Sequence, residues 1–185
     1  QDFTNFVNAV IDEASFDNIM SYIDYAKQSP DAEIVFGGNG DKSVGYFVEP
    51  TVIRTTDPMF KSMVEEIFGP VLPMLPFDDI GEAVALINDR EKPLALYYFG
   101  PEKTGREVLL HTSSGGACIN DTIMQIANDR LPFGGVGNSG MGRYHGHDSF
   151  DAFSLRRGVV ESPARPDLPL RYPPYKGFRW VKKIL

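Results

Sequence analysis

Leu94-Ala95-Leu96-Tyr97-Tyr98-Phe99 is an unbroken apolar run of strand length, the kind of segment that a sheet covered on both faces requires. Upstream, Val71–Leu75 reads as another strand, ended by Pro76. Between the two, Asp78 or Asp79 can cap a helix whose Ile80, Ala83, Val84 and Ile87 fall at i, i+3, i+4 and i+7. Burying its three larger side chains contributes roughly 1.5–3 kcal/mol each before entropy is subtracted. Downstream, Gly100-Pro101 turns the chain into a less clearly striped helix at 102–112, and Gly116–Asn120 is a further buried-looking strand. Strand, helix, strand, helix, strand predicts an α/β fold with a mainly parallel sheet and crossover helices.

Toward the N-terminus, Ser15 looks like an N-cap for a helix striped by Phe16, Ile19, Met20 and Ile23. Val10-Ile11 has the character of a strand end. Glu33–Phe36 reads as a strand, Gly37–Asp41 as a tight turn, and Tyr46–Arg54 as an edge or irregular strand because it holds Pro50. Asp57-Pro58 opens a short helix. Toward the C-terminus, residues 121–149 are glycine-rich and loop-like, and Phe150–Val160 alternates like one more strand. Lying beyond the αβ pattern, that strand needs a partner, which a neighbouring subunit can supply. Residues 162–175 hold five prolines and are expected to lie extended over a surface.

With 185 residues, 42% of them hydrophobic, the chain can build a real core. Its 25 acidic side chains against 18 basic ones argue against nucleic acid as the main partner. Arg171, Lys176, Arg179, Lys182 and Lys183 fall in a tail without acids, mixed with Tyr172, Tyr175, Phe178 and Trp180. Packing on the acidic body or on a twin subunit suits this tail 171–185 better than a membrane surface. One cysteine, Cys118, precludes an internal disulfide and fits a reducing, cytoplasmic compartment. No apolar run is long enough for a membrane span. The chain begins with Gln1, which fits a piece of a longer protein.

Glu65-Glu66-Ile67-Phe68-Gly69-Pro70 is the stretch with chemical character. Gly69 and Pro70 break the preceding helix and hold Glu66 and Phe68 on a rigid corner. A carboxylate accepts from hydroxyls and a ring offers a flat apolar face, a combination suited to a sugar on a heterocycle. A capped surface helix with a core phenylalanine is the plainer reading of the same residues. Gly135-Val136-Gly137-Asn138-Ser139-Gly140 matches G-x-G-x-x-G literally, but it has neither a strand before it nor an apolar helix after it. Those glycines read as serial turns. Cys118, inside an apolar strand without a nearby base, reads as an inert core thiol. His145, His147 and Asp148 are weak support for a metal, and a hydrogen-bonded structural pair is the preferred reading. His111 near a helix C-terminus reads as a surface residue favoured by the helix dipole.

Glu65–Pro70, Lys92-Pro93-Leu94-Ala95-Leu96, Ser114-Gly115-Gly116 and Pro132-Phe133-Gly134-Gly135 stand in the order and spacing of the aldehyde dehydrogenase superfamily. The chain resembles the C-terminal part of such an enzyme: residues 1–149 a partial catalytic domain, 150–161 an oligomerisation strand, and 162–185 a Pro-rich, then basic-aromatic tail. Residues 2–72 are most similar to glutamate-semialdehyde (1-pyrroline-5-carboxylate) dehydrogenases. Residues 90–175 are instead similar to the class 3, coniferyl and fatty aldehyde branch, through Asn120-Asp121-Thr122-Ile123, Pro132–Tyr144, His145-Gly146 and Arg171-Tyr172-Pro173-Pro174. A fusion or a join within 70–90 would explain such a mixture.

The resemblance implies oxidation of an aldehyde to a carboxylic acid with NAD or NADP. A cysteine thiolate forms a thiohemiacetal, hydride leaves, and a glutamate-activated water hydrolyses the thioester. By this resemblance Glu66 holds the hydroxyls of the nicotinamide ribose, Phe68 packs against the nicotinamide, and Phe133 lines the aldehyde tunnel. Residues 150–161 would join a partner's sheet in a homo-oligomer, a dimer being the simplest form. The nucleophilic cysteine, the general-base glutamate and the dinucleotide fold belong upstream of Gln1, and Cys118 matches a core strand position. No metal is implied, and the chain alone is expected to be inactive. Val136 and Gly137 follow the class 3 pattern, which argues against glutamate semialdehyde as substrate. A non-catalytic remnant serving as an oligomerisation or binding module is the alternative.

Overall fold

The computed structural model describes residues 8–163, 165, 173, 174, 182 and 183. They fall into two compact units, one running to Glu91 and including Leu110–Thr112, the other formed by Lys92–Leu109 and the residues from Ser113 onward.

The first unit opens with α1 (Glu13–Gln28), which buries Phe16, Ile19, Tyr22, Ile23 and Ala26 along one face. Its cap is Asp12 and not Ser15: the Asp12 carboxylate accepts from the Ser15 backbone N–H at 2.7 Å, satisfying an amide that the first helical turn leaves free. Four strands follow: β1 (Ala32–Phe36), β2 (Gly40–Asp41), β3 (Phe47–Val48) and β4 (Thr51–Thr55). After α2 (Lys61–Val64) come β5 (Val71–Met74) and α3 (Ile80–Asp89).

A three-stranded sheet has the order β1-β4-β5, with β1–β4 antiparallel and β4–β5 parallel. The β4–β5 connection carries α2, as a parallel crossover requires. β4 is therefore central, contrary to the edge position expected from Pro50. Glu49-Pro50 falls between β3 and β4, so the proline removes no donor from the ladder. Pro73 does lie within a strand, on β5, which among the described residues pairs only with β4. Val10 forms no strand end; its N–H donates to Tyr46 O at 2.8 Å. The core consists of Phe16, Ile19, Tyr22, Ile23, Val48 and Ile67, with a second cluster of Ala26, Ile53 and Phe60.

In the second unit, β6 (Ala95–Tyr98) pairs in parallel with β7 (Gly116–Ile119) through α4 (Glu102–His111). Gly105 lets α4 sit close to β6, since a Cβ there would lie 2.7 Å from the Tyr98 ring. Then come α5 (Met124–Ala127), a 3-10 turn at Gly137–Ser139 and α6 (Gly146–Ala152). This is an α/β fold, but its two parallel pairs lie in separate small sheets, and the expected double burial fails. Tyr97 is 38% exposed, and the α3 stripe is only half covered. Two strands have too few neighbours to cover both faces of either one.

The expected strand Phe150–Val160 is also revised. Residues 150–152 end α6, and 155–163 carry no regular secondary structure. Among the described residues, 155–160 pair with no strand of this chain. Most of the tail 171–185 and residues 1–7 lie outside the described residues. Among the described residues, no helix is long and apolar enough to cross a membrane.

Candidate active-site segments

α2 is one turn long. Glu65 N–H closes onto Lys61 O at 3.1 Å, and Glu65 then leaves the helix at φ −110°, ψ 144°. The following residues alternate. Glu66 is exposed, Ile67 sinks to 8% exposure in the α1 core, and Phe68 is 87% exposed. Phe68 has φ 54°, an uncommon conformation for a bulky residue. Gly69 passes so close to α1 that a Cβ would meet Ile19 Cδ1 at 2.5 Å. The carbonyl of Pro70 accepts from Thr51 N–H at 2.8 Å, which leads the chain into β5.

The segment is held from both sides. Tyr22 Oη donates to Glu65 Oε2 at 2.6 Å. That hydrogen bond, reinforced by burial and by the Glu65 charge, raises the Tyr22 hydroxyl above its ordinary value. The Lys61 ammonium lies 4.4 Å from the Tyr22 ring centroid, a cation–π contact. From the end of α3, Arg90 donates to Met63 O at 2.7 Å and also to Pro58 O. The sequence reading missed Tyr22 and Arg90. Tyr22 was discoverable, since a tyrosine on the buried face of α1 needs a partner for its hydroxyl.

Glu66 and Phe68 border one open hollow of about 500 Å³, with Ser62 and Glu65 beside them. Among the described residues the Glu66 carboxylate forms no hydrogen bond or ion pair. An unused anionic acceptor beside an exposed ring fits the hydroxyls of a ribose and the face of an attached heterocycle.

Phe133 lies in the second unit. It exchanges two backbone hydrogen bonds with Tyr144, at 2.8 and 2.9 Å. Its ring meets Tyr144 edge-on at 5.4 Å and stacks on His145 at 5.8 Å. With Leu94, Met141 and Tyr144 it lines a hollow of about 490 Å³. Arg143 spans the loop, donating to Gly115 O at 2.6 Å and to Gly134 O at 3.3 Å. Around Gly135–Gly140 the backbone makes turns, and Ser139 Oγ accepts from Val136 N–H at 2.9 Å.

The expected histidine pair is not one. His147 Nδ1 lies 3.5 Å from Asp151, while His145 packs between rings and its Nδ1 has no hydrogen-bond partner among the described residues. Among the described residues no group of histidine, cysteine and acidic side chains could hold a metal ion. Cys118 is half-buried; its thiol donates to Gln125 Oε1 at 3.0 Å, and Gln125 donates to Tyr97 Oη at 2.9 Å.

Residues 1–159 match the aldehyde dehydrogenase family, and the chain belongs to it. A probable coniferyl aldehyde dehydrogenase of Pseudomonas aeruginosa is 41% identical over 90% of this chain and 35% of its own length. A dimeric NADP-preferring aldehyde dehydrogenase of Bos taurus is 41% identical over 89% of this chain and 67% of that sequence. The substrate-bound Staphylococcus aureus AldH structure aligns with a TM-score of 0.80 at 40% identity, covering 95% of this chain and 38% of that one. A Mycobacterium tuberculosis aldehyde dehydrogenase complexed with NAD+ aligns at 0.75 with 28% identity, over 88% of this chain and 33% of that one. The chain thus spans about a third of the length of the first curated relatives it matches. Relatives named as coniferyl aldehyde dehydrogenase and as aldehyde dehydrogenase family 3 members each cover 80–90% of the chain.

Proposed function

We propose that this chain is the C-terminal catalytic and oligomerisation portion of an NAD- or NADP-dependent aldehyde dehydrogenase that oxidises an aldehyde to a carboxylic acid. The observation that carries the reading is the segment 65–70, where a carboxylate unpaired among the described residues shares one hollow with an exposed ring. Relatives described as NADP-preferring or complexed with NAD+ support the choice of cofactor. When bound, the nicotinamide accepts the hydride. This chain's part is to hold and orient it: Glu66 accepts from the ribose hydroxyls and Phe68 packs against the ring. A hydrogen bond to a charged acceptor contributes about 1.5–3 kcal/mol, enough to bias where a mobile ring rests.

Phe133 is assigned to the aldehyde-binding wall on the strength of its place in an apolar, aromatic hollow. In the domain scheme, residues 1–149 belong to the catalytic domain, 150–161 to an oligomer contact and 162–185 to the tail. Exposed Phe153, Leu155, Val159 and Val160 support a partner's sheet over the second of these. A cytoplasmic enzyme accords with the single, hydrogen-bonded thiol. The nucleophilic cysteine and general base lie in the two thirds of the family's length that this chain does not span, so the chain alone forms no NADH from an aldehyde.

The test is Glu66→Gln in the full-length enzyme, read by single-turnover hydride transfer. The rate falls by about tenfold or more, as expected for losing a charged acceptor, while aldehyde binding is preserved. An unchanged hydride step removes this role from Glu66.

A further inference from the structure

We propose that Tyr22 and Glu65 are positioning residues for the nicotinamide nucleoside, a role that rests on the reading of Glu66 and Phe68 above. Glu65 is the residue at which α2 ends, and its backbone angles set the direction in which Glu66, Ile67 and Phe68 leave the helix. A freely rotating C-terminal residue on a one-turn helix would let that direction wander, because so short a helix has little stability of its own. Here the Glu65 side chain is fixed by a hydroxyl on another element. Tyr22 is 6% exposed on the buried face of α1, and its Oη reaches Glu65 Oε2 at 2.6 Å. The Lys61 ammonium lies 4.4 Å from the Tyr22 ring centroid and tethers the first residue of α2 to the same side chain. One tyrosine therefore contacts both ends of α2, while Arg90 holds the carbonyls of Met63 and Pro58.

Glu65 also borders the hollow that Glu66 and Phe68 share. Releasing Tyr22 from Glu65 leaves the ligand-binding groups intact and loosens their aim. Binding then carries the cost of ordering the segment, which the free protein has otherwise already met.

The test uses the full-length enzyme with NADH, read by nicotinamide fluorescence on binding, and with ADP, which lacks the nicotinamide ribose. Tyr22→Phe keeps the ring under Lys61 and removes only the donor. It weakens NADH binding by about 3- to 10-fold, the equivalent of one lost hydrogen bond, and leaves ADP affinity unchanged. In a Glu66→Gln background the same substitution has a smaller effect on NADH, since part of what it disturbs is already lost and only the aim of Phe68 remains to be loosened. Glu65→Gln retains an acceptor for Tyr22 and keeps NADH affinity close to the parent, whereas Glu65→Leu lowers it as Tyr22→Phe does.

If Glu66→Gln weakens NADH binding and Tyr22→Phe does not, the positioning role is wrong and the ribose contact stands. If Glu66→Gln leaves NADH binding unchanged, the ribose contact is wrong and this role falls with it. Equal weakening of NADH and ADP by Tyr22→Phe marks a general loss of structure and overturns the proposal as well.

Discussion

Two segments carry the candidate chemistry, and they are held in place by different means. Residues 61–71 are fixed by side chains: Ile67 in the α1 core, Tyr22 on Glu65, and Arg90 on two carbonyls. Residues 133–145 are fixed mainly by backbone, through the Phe133–Tyr144 bridge, glycines in close approach, and Arg143 on the carbonyls of Gly115 and Gly134. An acceptor for ribose hydroxyls must be aimed, and an anchored side-chain network suits that. The proposed aldehyde wall needs shape, which a compact glycine loop supplies mainly through its backbone.

The contrast can be broken at its anchors. Ile67→Ala in the full-length enzyme should cost about 2–5 kcal/mol of stability by removing a buried side chain, seen as a lower denaturant midpoint. A cost like that of a surface substitution would mean that the segment does not depend on its core anchor. Gly135→Ala tests the other principle. A Cβ there would lie 2.1 Å from Ser139 O, a backbone atom that cannot swing aside. The expected cost is about 1–3 kcal/mol, and a neutral result would show that the loop adapts.

Phe68→Gly sharpens the comparison, because stability and binding should move in opposite directions. Glycine relieves the positive φ, a gain of about 1–2 kcal/mol before its own entropy cost. Loss of the ring should weaken binding of the nicotinamide moiety. A variant that loses stability and binds NADH normally would contradict both assignments.

The smallest effect lies at the Asp12 cap. The Ser15 backbone hydrogen bond, aided by the Ser15 side chain, holds the Asp12 carboxyl below its ordinary value. Its folded value is lower than that of the unfolded chain, so the cap contributes fully above about pH 4 and fades as pH falls through the folded value. Thermal midpoints of the parent and Asp12→Ala should differ at neutral pH and converge in acid. A difference that persists unchanged below that range would show that the carboxylate is not the source.

The sequence made the α1 stripe and the 65–70 segment readable because both are local: apolar residues at helical spacing, then Gly-Pro. The β6–α4–β7 crossover was equally readable from its apolar runs and turn residues. What escaped depended on distance in the chain. Tyr22 meets Glu65 across 43 residues and Arg90 meets Met63 across 27, contacts that no local pattern encodes. β4 departs from the expected edge position because Pro50 marks the break before the strand and not a place within it. For Phe150–Ala152, alternation suggested a strand while the chain closed a short helix. Burial was overestimated at α3 and β6 because periodicity shows which face is apolar, not what covers it.

The most direct measurement is a crystal structure of the full-length enzyme with NAD+ or NADP+ bound. The account predicts Glu66 carboxylate oxygens within about 3.2 Å of the nicotinamide ribose hydroxyls, with the Phe68 ring against the nicotinamide. A nicotinamide ribose held elsewhere, with Glu66 turned to solvent or paired with a protein cation, would contradict it.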